Sequence, residues 1–115
     1  MICNRGDVVL VLFPDSNLRT AKRRPALVVQ ADDLRTGLPQ TIIAMISSNM
    51  ARAGHPSRIT VSLSAPQSRQ SGLRSDSVIL TDNPTTVFEN EIDRKIGSIP
   101  SLDAVDQALR HTLGL

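Results

Sequence analysis

Val8-Val9-Leu10-Val11-Leu12-Phe13 is an unbroken apolar run, rich in β-branched residues and ended by Pro14. With no polar alternation, it predicts a strand buried on both faces. Residues 14–22 are polar and turn-forming and predict a surface loop. A second strand is predicted from Pro25 to Gln30, before loop signals at Asp32-Asp33 and Gly37-Leu38-Pro39. Thr41-Ile42-Ile43-Ala44-Met45-Ile46 predicts a third strand, stopped by Ser47-Ser48-Asn49. Residues 50–56 read as a loop punctuated by Gly54 and Pro56. From Ser57 to Leu63 polar and apolar residues alternate, the pattern of a half-exposed strand.

The second half of the chain is less regular. Residues 65–74 form a polar stretch around Gly72 without apolar periodicity, read as a linker. Asp76 to Thr81 predicts a short strand, interrupted at Asn83-Pro84 and resumed at Thr85-Thr86-Val87-Phe88. A further short strand is predicted at Lys95 to Ile99. Leu102, Val105, Ala108, Leu109 and Leu113 then recur at helical spacing. Ser101 is the expected N-cap, Asp103 the first-turn anion, and Gly114 the C-terminal stop. Five to seven short strands and one terminal helix predict a mainly β fold, a small and strongly bent sheet or partly open barrel.

Composition narrows this picture. With 115 residues the chain is expected to form one domain spanning 1–115. Phe13 and Phe88 are its only aromatics, so the core is built of Val, Ile and Leu. RNA, if bound, is held by charge and hydrogen bonds instead of stacking platforms. The net charge of +2 is unevenly spread: residues 1–60 hold eight Lys/Arg and four Asp/Glu, residues 61–115 five and seven. The imbalance points to one positive face as readily as to scattered solvated charge. Cys3 stands alone, which excludes an internal disulfide and zinc-finger spacing. No apolar run reaches the length of a signal or a membrane span, so the expected compartment is the cytoplasm.

Candidate chemistry is confined to strand ends. His55 and His111 are isolated from each other in sequence and form no metal motif. His111 is read as a partly exposed cation suited to a helix C-terminus, and His55 as a loop residue. Lys22-Arg23-Arg24 runs directly into the second strand, Ser47 and Ser48 close the third, and Asp82 follows Thr81. Brought to one rim, a guanidinium, hydroxyls and a carboxylate would suit RNA cleavage by its own 2′-hydroxyl. Arg stays charged at any working pH and presents paired donors to phosphate, so Arg24 fits charge stabilisation. On the residues alone, Arg24 reads equally as a solvated charge, and Ser47, Ser48 and Asp82-Asn83-Pro84 as turn chemistry.

The order of Arg5-Gly6-Asp7-Val8-Val9, Lys22-Arg23-Arg24-Pro25-Ala26-Leu27-Val28-Val29, the Thr41–Ser48 strand, Asp76-Ser77-Val78-Ile79-Leu80 and the final helix resembles the MazF/PemK family of toxins from type II toxin–antitoxin systems. The resemblance covers nearly the whole chain. It implies an SH3-like barrel with a C-terminal helix, a homodimer, and cofactor- and metal-independent cleavage of single-stranded RNA. The products would carry a 2′,3′-cyclic phosphate and a 5′-hydroxyl. The family's catalytic arginine corresponds to Arg24, its catalytic threonine to Ser47, and an acid used by some members to Asp82. Lys22, Arg23, Asn17, Arg19, Ser48 and Arg74 are then the candidates for gripping RNA. The implied protein partner is a cognate antitoxin, expected to lay an acidic, disordered segment across Arg23 and Arg24. A gyrase-binding toxin of the CcdB type, or a toxin that has lost catalysis, remains open on the sequence.

Overall fold

The computed structural model describes residues 3–14, 17 and 19–115. Six strands make one antiparallel sheet: β1 (Asp7–Pro14), β2 (Ala21–Val28), β3 (Gln40–Ser47), β4 (Arg58–Val61), β5 (Ser77–Phe88) and β6 (Ile92–Ser98). Their spatial order is β4-β5-β3-β2-β1-β6, which leaves β4 and β6 as open edges. The helix α1 (Asp103–Leu113) packs on β4 and β5.

The unbroken apolar run of β1 is explained by its burial on both faces. Val8 belongs to one core cluster, with Leu27, Ala44, Ile79 and Val105 of the helix. Val9 and Val11 belong to a second, with Ala26, Val28, Ile43 and Val87. Successive residues of a strand point to opposite faces, so one strand feeds both clusters.

β2 begins four residues earlier than the apolar pattern predicts. Lys22, Arg23 and Arg24 lie inside it, opposite Phe13, Leu12 and Val11 of β1. The pairing of β2 with β3 covers only Ala26, Leu27 and Val28. Residues 21–25 are therefore laddered on the β1 side alone, and the cations leave the ribbon into solvent. Pro25, which has no N–H to give, sits where there is no β3 ladder to serve. The loop expected before this strand lies partly outside the described residues.

β5 is one strand where the sequence pattern shows two. Leu80 lies opposite Met45 and Pro84 opposite Ala44, so residues 81–83 form a bulge with no β3 partner. Asn83-Pro84 interrupts the ladder without ending the strand. β6 likewise starts at Ile92, ahead of the predicted Lys95, because Ile92 and Arg94 already pair with Val11 and Leu10.

The polar stretch before β5 is not a loose linker. Ser71 is fully buried, and its hydroxyl donates to the Ser68 carbonyl at 2.8 Å. The backbone here lies directly on β6. A Cβ at Gly72 (φ +73°) would fall 2.1 Å from the Ile96 carbonyl oxygen, and one at Gly97 would fall 2.2 Å from that of Gln70. Only glycines allow this approach, and Ser98 N–H closes it by donating to Gln70 O at 2.7 Å.

The helix begins one residue later than expected. Leu102, not Ser101, is its N-cap, and no side chain caps it. Asp103 and Asp106 supply the first-turn anions, and Gly114 closes the helix in the left-handed region. Arg5 ties the chain's start to this helix through Asp106 and donates to Val29 O at 3.1 Å. Among the described residues no helix is long and apolar enough to cross a membrane.

Candidate functional site

The one-sided half of β2 and the end of β3 diverge, and the space between them opens as a groove of about 650 Å³. Arg23 and Arg24 enter it from β2, and Ser47 and Ser48 from the end of β3. The segment pinned to β6 by Gly72 contributes Leu73, Arg74 and Ser75, and β6 itself contributes Arg94. Arg52 closes one side from the short turn after β3. The floor is apolar, from Leu10, Met45, Leu80 and Ile96.

Among the described residues five arginines therefore line one groove, and none of the residues lining it is acidic. Arg23 is paired, its Nε lying 3.1 Å from Asp93. Among the described residues Arg24, Arg52, Arg74 and Arg94 make no salt bridge. Unpaired guanidiniums with hydroxyls between them form a preorganised anion site, suited to a chain of phosphates.

A short relay sets the Ser47 end. Asn49 N–H donates to Ser47 Oγ at 3.1 Å, and Asn49 Oδ1 accepts from Ala51 N–H at 3.1 Å. That second bond caps the turn carrying Arg52. The Ser47 hydroxyl keeps its proton for another acceptor.

Of the residues singled out in the sequence, the groove thus gathers Arg24, Ser47, Arg23, Ser48 and Arg74. Asp82 is not among the lining residues. Its carboxylate is held by Arg58, with Oδ2 2.9 Å from Nη2 and Oδ1 3.4 Å from Nε. The hydrogen bond from Arg58 is the main reason its pKa lies below the ordinary carboxylate value. A carboxylate so held is a weaker proton acceptor. Lys22 on β2 and Arg19 in the connection before it are exposed and are not among the groove's lining residues. Asn17 turns its side chain inward, accepting from Arg19 N–H at 2.9 Å and Thr20 N–H at 3.3 Å.

The sequence reading missed Arg52, Arg94, Ser75, Ser77 and Asn83. Arg94 became legible only through the β1–β6 register, which sets it opposite Leu10. Arg52 carried a local signal, the Asn49 cap three residues before it. The two histidines meet away from the groove, their ring centroids 6.0 Å apart and edge-on. His55 Nδ1 accepts from Ser57 N–H at 3.1 Å. Among the described residues no three His, Cys, Asp or Glu side chains are placed to hold a metal ion.

Comparison with known proteins gives relatives along the whole chain. The chain is 34% identical over 119 residues to the endoribonuclease MazF6 of Mycobacterium tuberculosis, with both proteins fully covered. It is 30% identical over 118 residues to the endoribonuclease EndoA of Bacillus subtilis, covering all of this chain and 97% of that one. Its fold matches an endoribonuclease in complex with its cognate antitoxin from a mycobacterial species, at a TM-score of 0.74, 19% identity and coverage of 98% and 96%. It also matches the MazE–MazF complex of Deinococcus radiodurans at a TM-score of 0.72 and 21% identity, covering 100% of this chain and 98% of that one. The profile of the PemK-like, MazF-like toxins spans residues 4–113, from the turn before β1 to the last turn of α1. Mostly β, ended by one helix and matched along nearly its whole length, the chain belongs to the PemK-like, MazF-like toxins of type II toxin–antitoxin systems.

Proposed function

We propose that residues 1–115 act as a single toxin domain, an endoribonuclease that cleaves single-stranded RNA in the groove between β2 and β3. The observation that carries this reading is that, among the described residues, four arginines without a salt bridge line one groove with the hydroxyls of Ser47, Ser48 and Ser75 and no carboxylate lines it. The named endoribonucleases among its relatives support it over the full chain length.

In the proposed reaction the 2′-oxygen attacks the adjacent phosphorus and the bond to the 5′-oxygen breaks. The 2′-hydroxyl loses its proton and the departing 5′-oxygen gains one. A 2′,3′-cyclic phosphate and a 5′-hydroxyl result, with no cofactor consumed. Arg24 binds the non-bridging oxygens as charge builds on the phosphorane, and Ser47 donates its free proton to the same phosphate. The remaining groove arginines hold neighbouring phosphates. Asp82, engaged by Arg58, is assigned a role in shape and not in proton transfer. Lys22, Arg19 and Asn17 belong to the outer ribbon, where RNA or antitoxin continues beyond the groove.

The same cation set explains inhibition. An acidic, disordered segment of a cognate antitoxin laid across Arg23 and Arg24 would occupy the phosphate path. The toxin works as a homodimer in the cytoplasm, where RNA and antitoxin are both present.

The test is to incubate the purified protein with a long single-stranded RNA in EDTA and to map the ends produced. Cleavage at short recurrent sequences with cyclic-phosphate ends is expected. Intact RNA, with DNA gyrase inhibited instead, would overturn the reading.

A further inference from the structure

The three residues of the β5 bulge are sent in three directions. Thr81, fully buried, donates its hydroxyl to the Ser57 carbonyl and lies 2.9 Å from the Thr112 hydroxyl of α1. Its backbone N–H donates to the same carbonyl at 3.1 Å. Asp82 is clamped by Arg58, whose Nη1 also donates to the Arg52 carbonyl at 3.1 Å. Asn83 lines the groove, and no other described residue takes up its amide. Pro84 follows and locks the strand's return to its ladder opposite Ala44.

We propose that Asn83 reads the edge of one base in the bound RNA, and that Thr81 and Asp82 are the positioning residues that hold it at the groove. This rests on the nuclease reading and deepens it. Contacts to phosphate carry no sequence information, and an arginine fork that does reach a base suits the two acceptors of guanine, whereas an amide offers a fixed donor beside a fixed acceptor. Among the described residues Asn83 is the only carboxamide side chain lining the groove. In single-stranded RNA both edges of a base are open. Adenine matches the amide's donor–acceptor pair on both of them, so adenine is the expected base.

The bulge supplies what such reading needs. The two side chains before Asn83 are both bound, Thr81 to Ser57 and Asp82 to Arg58, so the amide is carried by a fixed backbone. One clamp also spans the site, because Arg58 links Asp82 to the turn bearing Arg52.

The experiment uses a pool of randomised single-stranded RNA, cut by the wild-type protein and by Asn83→Ala, Asn83→Gln, Asp82→Asn and Thr81→Val, with cut sites read by sequencing. Each variant is first checked for folding by circular dichroism. Absence of cuts by the wild type would overturn the nuclease reading and this inference with it. Given wild-type cutting, Asn83→Ala is expected to lower the preference at one position by roughly ten-fold while other positions keep theirs. Asp82→Asn and Thr81→Val should blur that same position, a pattern that general loss of stability would not produce. An unchanged site preference in Asn83→Ala and Asn83→Gln, or a uniform loss of cutting at all sequences, would overturn the proposal.

Discussion

The backbone N–H of Asn49 donates to Ser47 Oγ at 3.1 Å. The bond fills one lone pair of the hydroxyl and fixes where its proton can go. Ser47→Ala removes the donor and leaves the Asn49 N–H without its partner. The proposed role predicts a fall of about 10²-fold in single-turnover cleavage. Ser47→Thr keeps the hydroxyl and adds the methyl group found in the family, and should restore most of the rate. Equal rates for wild type and Ser47→Ala would remove Ser47 from the chemistry.

Arg24 is distinguished from its neighbour by pairing. Arg23 is held by Asp93 at 3.1 Å, while Arg24 makes no salt bridge among the described residues. A free fork at the strand-two proline is available to a phosphate whose charge is growing. Arg24→Ala is expected to lower the chemical step about 10³-fold. Arg24→Lys keeps the charge but loses the planar fork, and should recover only part of it. Arg23→Ala should weaken RNA binding more than the chemical step. Measuring kcat and KM for the three variants separates these effects.

These distinctions mark how far the sequence could be read. The strands were legible where burial sets composition: Val8, Val9 and Val11 of β1 and Thr41, Ile43, Ala44 and Ile46 of β3 are buried. β2 was misplaced because its first half faces solvent on a ribbon, and hydrophobicity cannot show a strand held only by its backbone ladder. The groove was half legible. Ser47 and Ser48 lie at the end of a strand and Arg24 at the start of an apolar run, positions that the pattern exposes. Arg94 and Asn83 depend on register and on a bulge, which are fixed by partners distant in sequence. Nothing local to Asp82 indicates that Arg58, on another strand, holds its carboxylate.

The Arg58–Asp82 pair makes a small part of the stability pH-dependent. Asp82 has a lower pKa folded than unfolded, chiefly through the Arg58 hydrogen bond. The folded state therefore gains from this pair above the ordinary carboxylate range, about pH 4. The gain is lost as pH falls through the folded value. Arg58→Gln should melt a little below wild type at pH 7, and the two curves should converge in acid. Because the pair is partly exposed, high salt should also narrow the gap. Thermal melts across pH check this; a gap that widens in acid would contradict it.

The groove cations also differ from surface arginines in what salt does to them. Each phosphate neutralised on a single strand adds about 0.7 to the slope of log affinity against log salt. Arg52, Arg74 and Arg94 reach the groove from three separate elements, so on the proposed reading each would meet a different phosphate along a bound strand. Replacing any one by Ala should flatten the slope by about 0.7, and replacing Arg52 and Arg74 together by about twice that. Arg110, exposed near the end of α1, lies outside the groove, and Arg110→Ala should leave the slope unchanged. Binding of a 2′-O-methyl RNA, which cannot be cut because its nucleophile is blocked, measures this without turnover. If Arg74→Ala weakened binding equally at all salt concentrations, Arg74 would be shaping the groove without touching a phosphate. The contact between Gly72 and Ile96 would then be the feature to vary next, because it fixes where Arg74 stands.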